Sequence, residues 1–165
     1  MTGVTIPNGT TNLAYGFQGC YNFYPNNWSN LFPNSVTNLA SCFLDAAPDQ
    51  YIYNLVLPTN VTNISSMFAG LWTGYLHGAQ VNIPDKVTDM SYLFAGFGSI
   101  YTSISIGPNV KNIAGAFSYF YDGAFSGSVS SYWPNVTNAE GVFQGIYFSN
   151  GGQDIYINAP KLING

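Results

Sequence analysis

Apolar and polar positions alternate along this chain in blocks that repeat. In Val61-Thr62-Asn63-Ile64-Ser65-Ser66-Met67-Phe68, the residues Val61, Ile64 and Phe68 fall at i, i+3 and i+7. That spacing predicts one apolar face on a helical or 3-10 turn, with Thr62 or Asn63 placed to cap its start. Ahead of the block runs Ile52-Tyr53-Asn54-Leu55-Val56-Leu57, apolar and β-branched, ended by Pro58. Proline removes a ladder donor, so the run predicts a short strand. Gln80-Val81-Asn82-Ile83, Ser103-Ile104-Ser105-Ile106 and Ile155-Tyr156-Ile157 are its counterparts. Behind the block, Ala69 to Gly78 is broken by glycines and rich in aromatics, which predicts a return loop.

The blocks share a register over the whole chain. Prolines recur at Pro7, Pro33, Pro58, Pro84, Pro108, Pro134 and Pro160, each followed by one member of a column Asn12, Asn38, Asn63, Asp89, Asn112, Asn138 and Asn164. Phe17, Phe43, Phe68, Phe94, Phe117 and Phe143 stand five residues after that column. A period of 23–26 residues predicts a solenoid of about seven rungs, built as one domain over residues 1–165. Asn12, Asn38, Asn63, Asp89, Asn112 and Asn138 are expected to form a structural ladder that satisfies backbone groups of neighbouring coils, with Asp89 able to serve as acceptor only. The phenylalanines are expected to stack as a spine.

The phrases Val36-Thr37-Asn38-Leu39-Ala40-Ser41-Cys42-Phe43, Val61 to Phe68, and Val87-Thr88-Asp89-Met90-Ser91-Tyr92-Leu93-Phe94 resemble the BspA-like leucine-rich repeats. Those occur in bacterial surface proteins and in proteins of tailed phages. The resemblance covers nearly the whole chain and implies an α/β leucine-rich-repeat type of solenoid, with short parallel strands on one side and helical or 3-10 turns on the other. It is specific for fold and unspecific for function, because such repeats serve adhesion, receptor recognition and scaffolding alike. The chain departs from the pattern in a repeat shortened to 23 residues and in a seventh phrase that stops before any Phe. Neither end carries an obvious polar cap, so one or both ends are expected to be covered by another copy, another virion protein or further sequence.

Charge narrows the function classes. Only 6% of residues are charged, against about 25% in ordinary soluble domains, and the net charge is -4. The three cations are Lys86, Lys111 and Lys161, with no Arg, so a phosphate backbone would be repelled and nucleic acid is not an expected partner. No apolar run approaches the roughly 18 residues of a membrane span, and Met1 leads into Thr2-Gly3-Val4 without the features of a Sec signal, so no membrane insertion is expected. Cys20 and Cys42 occupy different positions in the repeat. That register favours two small buried thiols over a disulfide.

Parts for catalysis are scarce, and no enzyme activity, metal or cofactor is expected. His77 is the sole histidine, lies between glycines in a return loop, and is read as exposed without metal-ligand partners. Asp45, Asp49, Asp122, Glu140 and Asp154 could supply the paired carboxylates of a glycoside hydrolase, yet no spacing brings two of them together. Asn150-Gly151-Gly152-Gln153-Asp154 holds one carboxylate and reads as a turn rather than a calcium loop. Aromatic loading is what stands out. Tyr21, Tyr24, Trp28, Tyr53, Trp72, Tyr75, Tyr101, Tyr121 and Tyr147 are the candidate residues for binding a ligand or partner, because such rings beside Asn and Ser suit both sugars and protein interfaces. The expected function is attachment by a phage virion component, through a host glycan or protein. A self-assembling scaffold subunit and a bacterial surface adhesin are the alternatives.

Overall fold

The computed structural model describes residues 4–21, 23, 25, 27–46, 51–120, 124–146 and 157–163. Six strands of two or three residues occur among them: β1 (Tyr51–Tyr53), β2 (Tyr75–His77), β3 (Val81–Asn82), β4 (Ser99–Ile100), β5 (Ile104–Ser105) and β6 (Ala124–Phe125). They form two parallel sheets, one ordered β1-β2-β4-β6 and the other β3-β5. Isolated parallel bridges join Asn12 to Asn38, Asn38 to Asn63, Asn63 to Asp89, Asp89 to Asn112 and Asn112 to Asn138, so successive repeats lie side by side in register.

The fold expected from the sequence needs correction. No helix is present among the described residues, and the strands make two small open sheets. An α/β leucine-rich-repeat solenoid with helical or 3-10 turns is therefore not the architecture. The reason lies in backbone sign. Three residues after the Asn column stand Tyr15, Ser41, Ser66, Tyr92, Gly115 and Gly141, and four further on stand Gly19, Asp45, Gly70, Gly96, Tyr119 and Gly145, all with φ between 53° and 73°. Left-handed residues every four positions cannot continue a right-handed helix.

What forms instead is a chain of tight turns in which alternate amides face different ways. Gly16 N–H donates to Leu13 C=O (2.9 Å), Gln18 N–H to Tyr15 C=O (3.1 Å) and Cys20 N–H to Phe17 C=O (3.2 Å), each closing a local turn. The intervening Leu13, Tyr15, Phe17 and Gly19 N–H groups donate to Asn38, Ala40, Cys42 and Leu44 C=O in the next repeat at 2.8–3.0 Å. Positive φ at the third residue of the first and third turns is what a type II turn requires. Between the first and last of these turn chains, the amides on this side are thereby satisfied within the repeat or by its neighbour.

Other expectations shift with this. The return loops contain β2, β4 and β6, so they are strands of the larger sheet rather than irregular connections. The run from Ile52 to Leu57 is interrupted at Asn54, whose φ of 52° ends β1 and turns Leu55 to Leu57 aside. Ile155 and Tyr156 lie outside the described residues.

One core runs through the stack. Phe17, Phe43, Phe68, Phe94, Phe117 and Phe143 stack ring on ring with centroids 5.3–6.0 Å apart. Val36, Val61, Val87, Val110 and Val136, with Leu39, Ile64, Met90 and Ile113, are buried beside them. From the larger sheet Ile52, Leu76, Ile100 and Phe125 point inward. No helix long and apolar enough to cross a membrane occurs among the described residues.

Candidate functional site

Alternation along β1, β2 and β4 produces the most distinctive surface. Since Ile52, Leu76 and Ile100 face the core, Tyr51, Tyr53, Tyr75, His77 and Tyr101 turn to the opposite side, where Ser99 lies fully covered. Strand register places Tyr51 beside Tyr75 and Tyr75 beside Ser99, and Tyr53 beside His77. Tyr101 follows in the second column, stacked on His77 at 4.6 Å and 21°. Tyr51 and Tyr75 are 5.4 Å apart, and the rings of Tyr51 and Tyr53 lie 5.0 and 5.6 Å from that of His77. Tyr51, Tyr53 and Tyr101 are 51%, 52% and 41% exposed. The result is a five-ring face that crosses three repeats and carries no charged side chain.

Two polar atoms in this face lack partners. His77 Nε2 and Ser99 Oγ are buried and accept or donate no hydrogen bond among the described residues. A buried unsatisfied polar atom costs about 1–3 kcal/mol, so two together on one small face stand out.

The sequence-derived candidates divide on this structure. Tyr53, Tyr75 and Tyr101 belong to the face, while Tyr21 and Trp72 are exposed elsewhere along the stack. Trp28 is a correction: it is 6% exposed and packs edge-on to Phe23, Phe43 and Phe68, because the core beside the second repeat has room for an indole. His77 is a second correction, being half-buried between tyrosine rings in β2 instead of exposed in a loop. Tyr24, Tyr121 and Tyr147 lie outside the described residues. Tyr51 completes the face and was not among the candidates; the alternation Tyr51-Ile52-Tyr53, echoed by Tyr75-Leu76-His77, is the signal that marks it.

The Asn column works chiefly within its own repeat, with Asn112 Nδ2 also donating to Asp89 Oδ2 of the preceding repeat at 3.4 Å. Side-chain oxygens of Asn12, Asn38, Asn63, Asp89, Asn112 and Asn138 accept the N–H two residues ahead at 2.8–3.1 Å. Only an acceptor is needed there, which is why Asp89 fits. Side-chain links to the preceding repeat's backbone come from different asparagines: Asn60, Asn109 and Asn135 donate to Asn34, Asp85 and Pro108 C=O. Lys86 and Lys161 reach Asn60 and Asn135 Oδ1 at 2.7 and 2.6 Å.

A groove of about 330 Å³ lies between Leu55, Val56, Leu57 and Thr59 on one side and Gln80, Asn82 and Asp85 on the other. Of the acids weighed for hydrolysis, Asp45 lies in the second repeat and Glu140 in the sixth, and Asp49, Asp122 and Asp154 fall outside the described residues. No group of three His, Cys, Asp or Glu able to hold a metal occurs among the described residues. Cys20 and Cys42 are both free thiols, and burial pushes Cys42 up to about 12. Compared with known proteins, the chain matches no family model, no curated protein and no solved structure.

Proposed function

We propose that this chain is a non-enzymatic attachment module that holds a surface ligand through the outward rings of β1, β2 and β4. The observation that carries this reading is the continuous, uncharged face of Tyr51, Tyr53, Tyr75, His77 and Tyr101. Soluble proteins seldom leave adjoining large rings in water without a use for them. Tyrosine gives large contact area at low conformational cost, so several weak contacts on several copies add up to firm attachment. The setting we propose is the virion of a tailed phage, at the tail or as a capsid decoration. The wording of the repeat phrase, which resembles segments of tailed-phage and bacterial surface proteins, and the sparse charge support that setting. A bacterial surface adhesin shares both features and is the alternative location.

The test uses the multimerised, fluorescently tagged chain on a panel of whole bacteria. Wild type labels a subset of strains, and the pair Tyr53→Ala with Tyr101→Ala loses that labelling while keeping its thermal unfolding midpoint. Labelling that survives in the folded double variant overturns the face as the contact surface.

A second reading, end-to-end assembly, has one observation in its favour. Ala139, Gly141 and Gly145 N–H have no partner among the described residues, and neither do Asn12, Ala14, Gly16 and Gln18 C=O at the opposite end. These donors and acceptors repeat the pairing found between neighbouring repeats. It ranks second because residues 157–163 already pair beside Ser131 and Thr137 and would have to shift. Light scattering across a hundredfold concentration range separates the two readings: a monomer at every concentration removes assembly.

A further inference from the structure

We infer that the ligand of this face is an uncharged saccharide chain lying along the stacking direction, one sugar per repeat; this rests on the attachment reading above. Direction comes from the rings. Tyr53, His77 and Tyr101 sit in consecutive repeats at steps of 5.6 and 4.6 Å, with His77 and Tyr101 turned face to face, so a chain laid parallel to the stack meets a fresh ring edge at an interval comparable with one pyranose. Tyr51 and Tyr75 form a second row beside the first. A chain lying across the strands would meet at most two rings.

Charge selects the saccharide class. None of the outward side chains of β1, β2 and β4 is a cation, and the three lysines all lie in the stretches between a proline and its Asn column. Two of them are engaged with Asn60 and Asn135. A uronate or sialate carboxylate would therefore gain no ion pair and would approach a protein of net charge -4. Neutral pyranoses lose nothing, since their C–H groups and hydroxyls can meet the outward edges and phenol hydroxyls of the half-exposed tyrosines.

The unpartnered atoms point the same way. Ser99 Oγ extends the Tyr51–Tyr75 row by register, and His77 belongs to the other row. A sugar hydroxyl is donor and acceptor at once, so it can serve either atom as the exposed tyrosine side chains shift.

Calorimetric titration decides this. The probes are β-linked glucose and N-acetylglucosamine oligosaccharides of one to five sugars, with an oligogalacturonate series of the same lengths as the acidic comparison. Binding of a neutral series is expected to tighten with each sugar up to about three and then level, because three repeats carry the rings. Tyr53→Ala and Tyr101→Ala should each weaken it roughly fivefold, the scale of one aromatic contact. Tighter binding of the acidic series, affinity indifferent to chain length, or unchanged affinity in folded Tyr variants overturns the inference. If neither series binds but tyrosine-dependent cell labelling persists, the saccharide assignment fails and attachment stands. If labelling is absent too, both fail.

Discussion

The ring of Tyr92 lies across Gly115 of the following repeat, so closely that a Cβ at Gly115 would stand 2.5 Å from Tyr92 Cδ1 and Cε1. Tyr119 covers Gly145 in the same manner, with Cδ1 2.7 Å from the corresponding point. In both pairs a left-handed residue in one repeat roofs a left-handed glycine in the next. Gly115→Ala therefore meets two penalties: an alanine at φ 59° and a displaced tyrosine. The conformational part alone is worth about 1 kcal/mol. Gly19→Ala has a closely similar φ of 63° but nothing within 4 Å and should lose only that part. Urea unfolding of both variants, and of Gly115→Ala in a Tyr92→Ala background, measures the difference. The tyrosine deletion should recover much of the excess.

Asn63 accepts Ser65 N–H at 2.9 Å and Ser65 Oγ–H at 2.8 Å. Asp89 takes the same two donors from Ser91 at 2.8 and 2.7 Å. Asn63→Asp should therefore be nearly neutral, whereas Asn63→Ala strands two donors and should cost about 1–2 kcal/mol by denaturant midpoint. Equal losses in the two variants would show that the amide nitrogen matters and that the acceptor account is incomplete.

Phe68 is fully buried and sandwiched between Phe43 at 5.5 Å and Phe94 at 5.7 Å, its ring nearly parallel to both. Phe68→Ala empties the middle of the spine and should cost about 3–5 kcal/mol, while Phe68→Leu keeps most of the volume and should cost much less. Calorimetric melting of both variants tests the order.

The outward tyrosines should be dispensable for folding. Tyr53→Ala and Tyr101→Ala remove side chains that are about half exposed, so each should shift stability by less than about 1 kcal/mol. Circular dichroism melts of the two variants check this. A large loss would mean the face holds the sheet together, and binding data from these variants would then need Tyr→Phe replacements.

Much of this arrangement is legible in the chain. The Asn and Phe columns recur at one spacing, and in the structure they set the bridges and the spine, because parallel stacking repeats one chemical environment per repeat. The local conformation is harder to read. Val61, Ile64 and Phe68 recur as they would on a helix, since turns closed between residues i and i+3 bring side chains back to one side at similar intervals. The counter-signal is glycine at Gly19, Gly70, Gly96, Gly115, Gly141 and Gly145, but Ser41, Ser66, Tyr15 and Tyr92 occupy equivalent left-handed positions and mask it. The ring face is half legible: two-residue strands such as β4 are too short for a period-two pattern, whereas Tyr51-Ile52-Tyr53 displays one. Trp28 misleads because an aromatic in a glycine- and asparagine-rich stretch reads as surface, while its burial depends on Phe43 and Phe68 of two later repeats as well as on nearby Phe23.

Cys42 ties fold integrity to a chemical readout. Desolvation by burial raises its thiol from 9.0 to about 12, with a smaller upward push from Cys20 and a hydrogen bond from the Phe17 backbone acting against them. In the folded chain a neutral-pH maleimide should label half-buried Cys20 and spare Cys42, and unfolding in urea should make both react. Between pH 9 and 12 the native state keeps a proton that the unfolded state gives up, so the contribution of Cys42 to stability is fully present below pH 9 and falls as pH rises through that window. Replacing Cys42 with Ala should flatten that part of the stability profile relative to wild type while lowering stability at every pH through the lost packing. Rapid labelling of both thiols in the native protein would mean the turn from Leu39 to Ala46 opens readily, and the slope above pH 9 should then vanish in wild type as well.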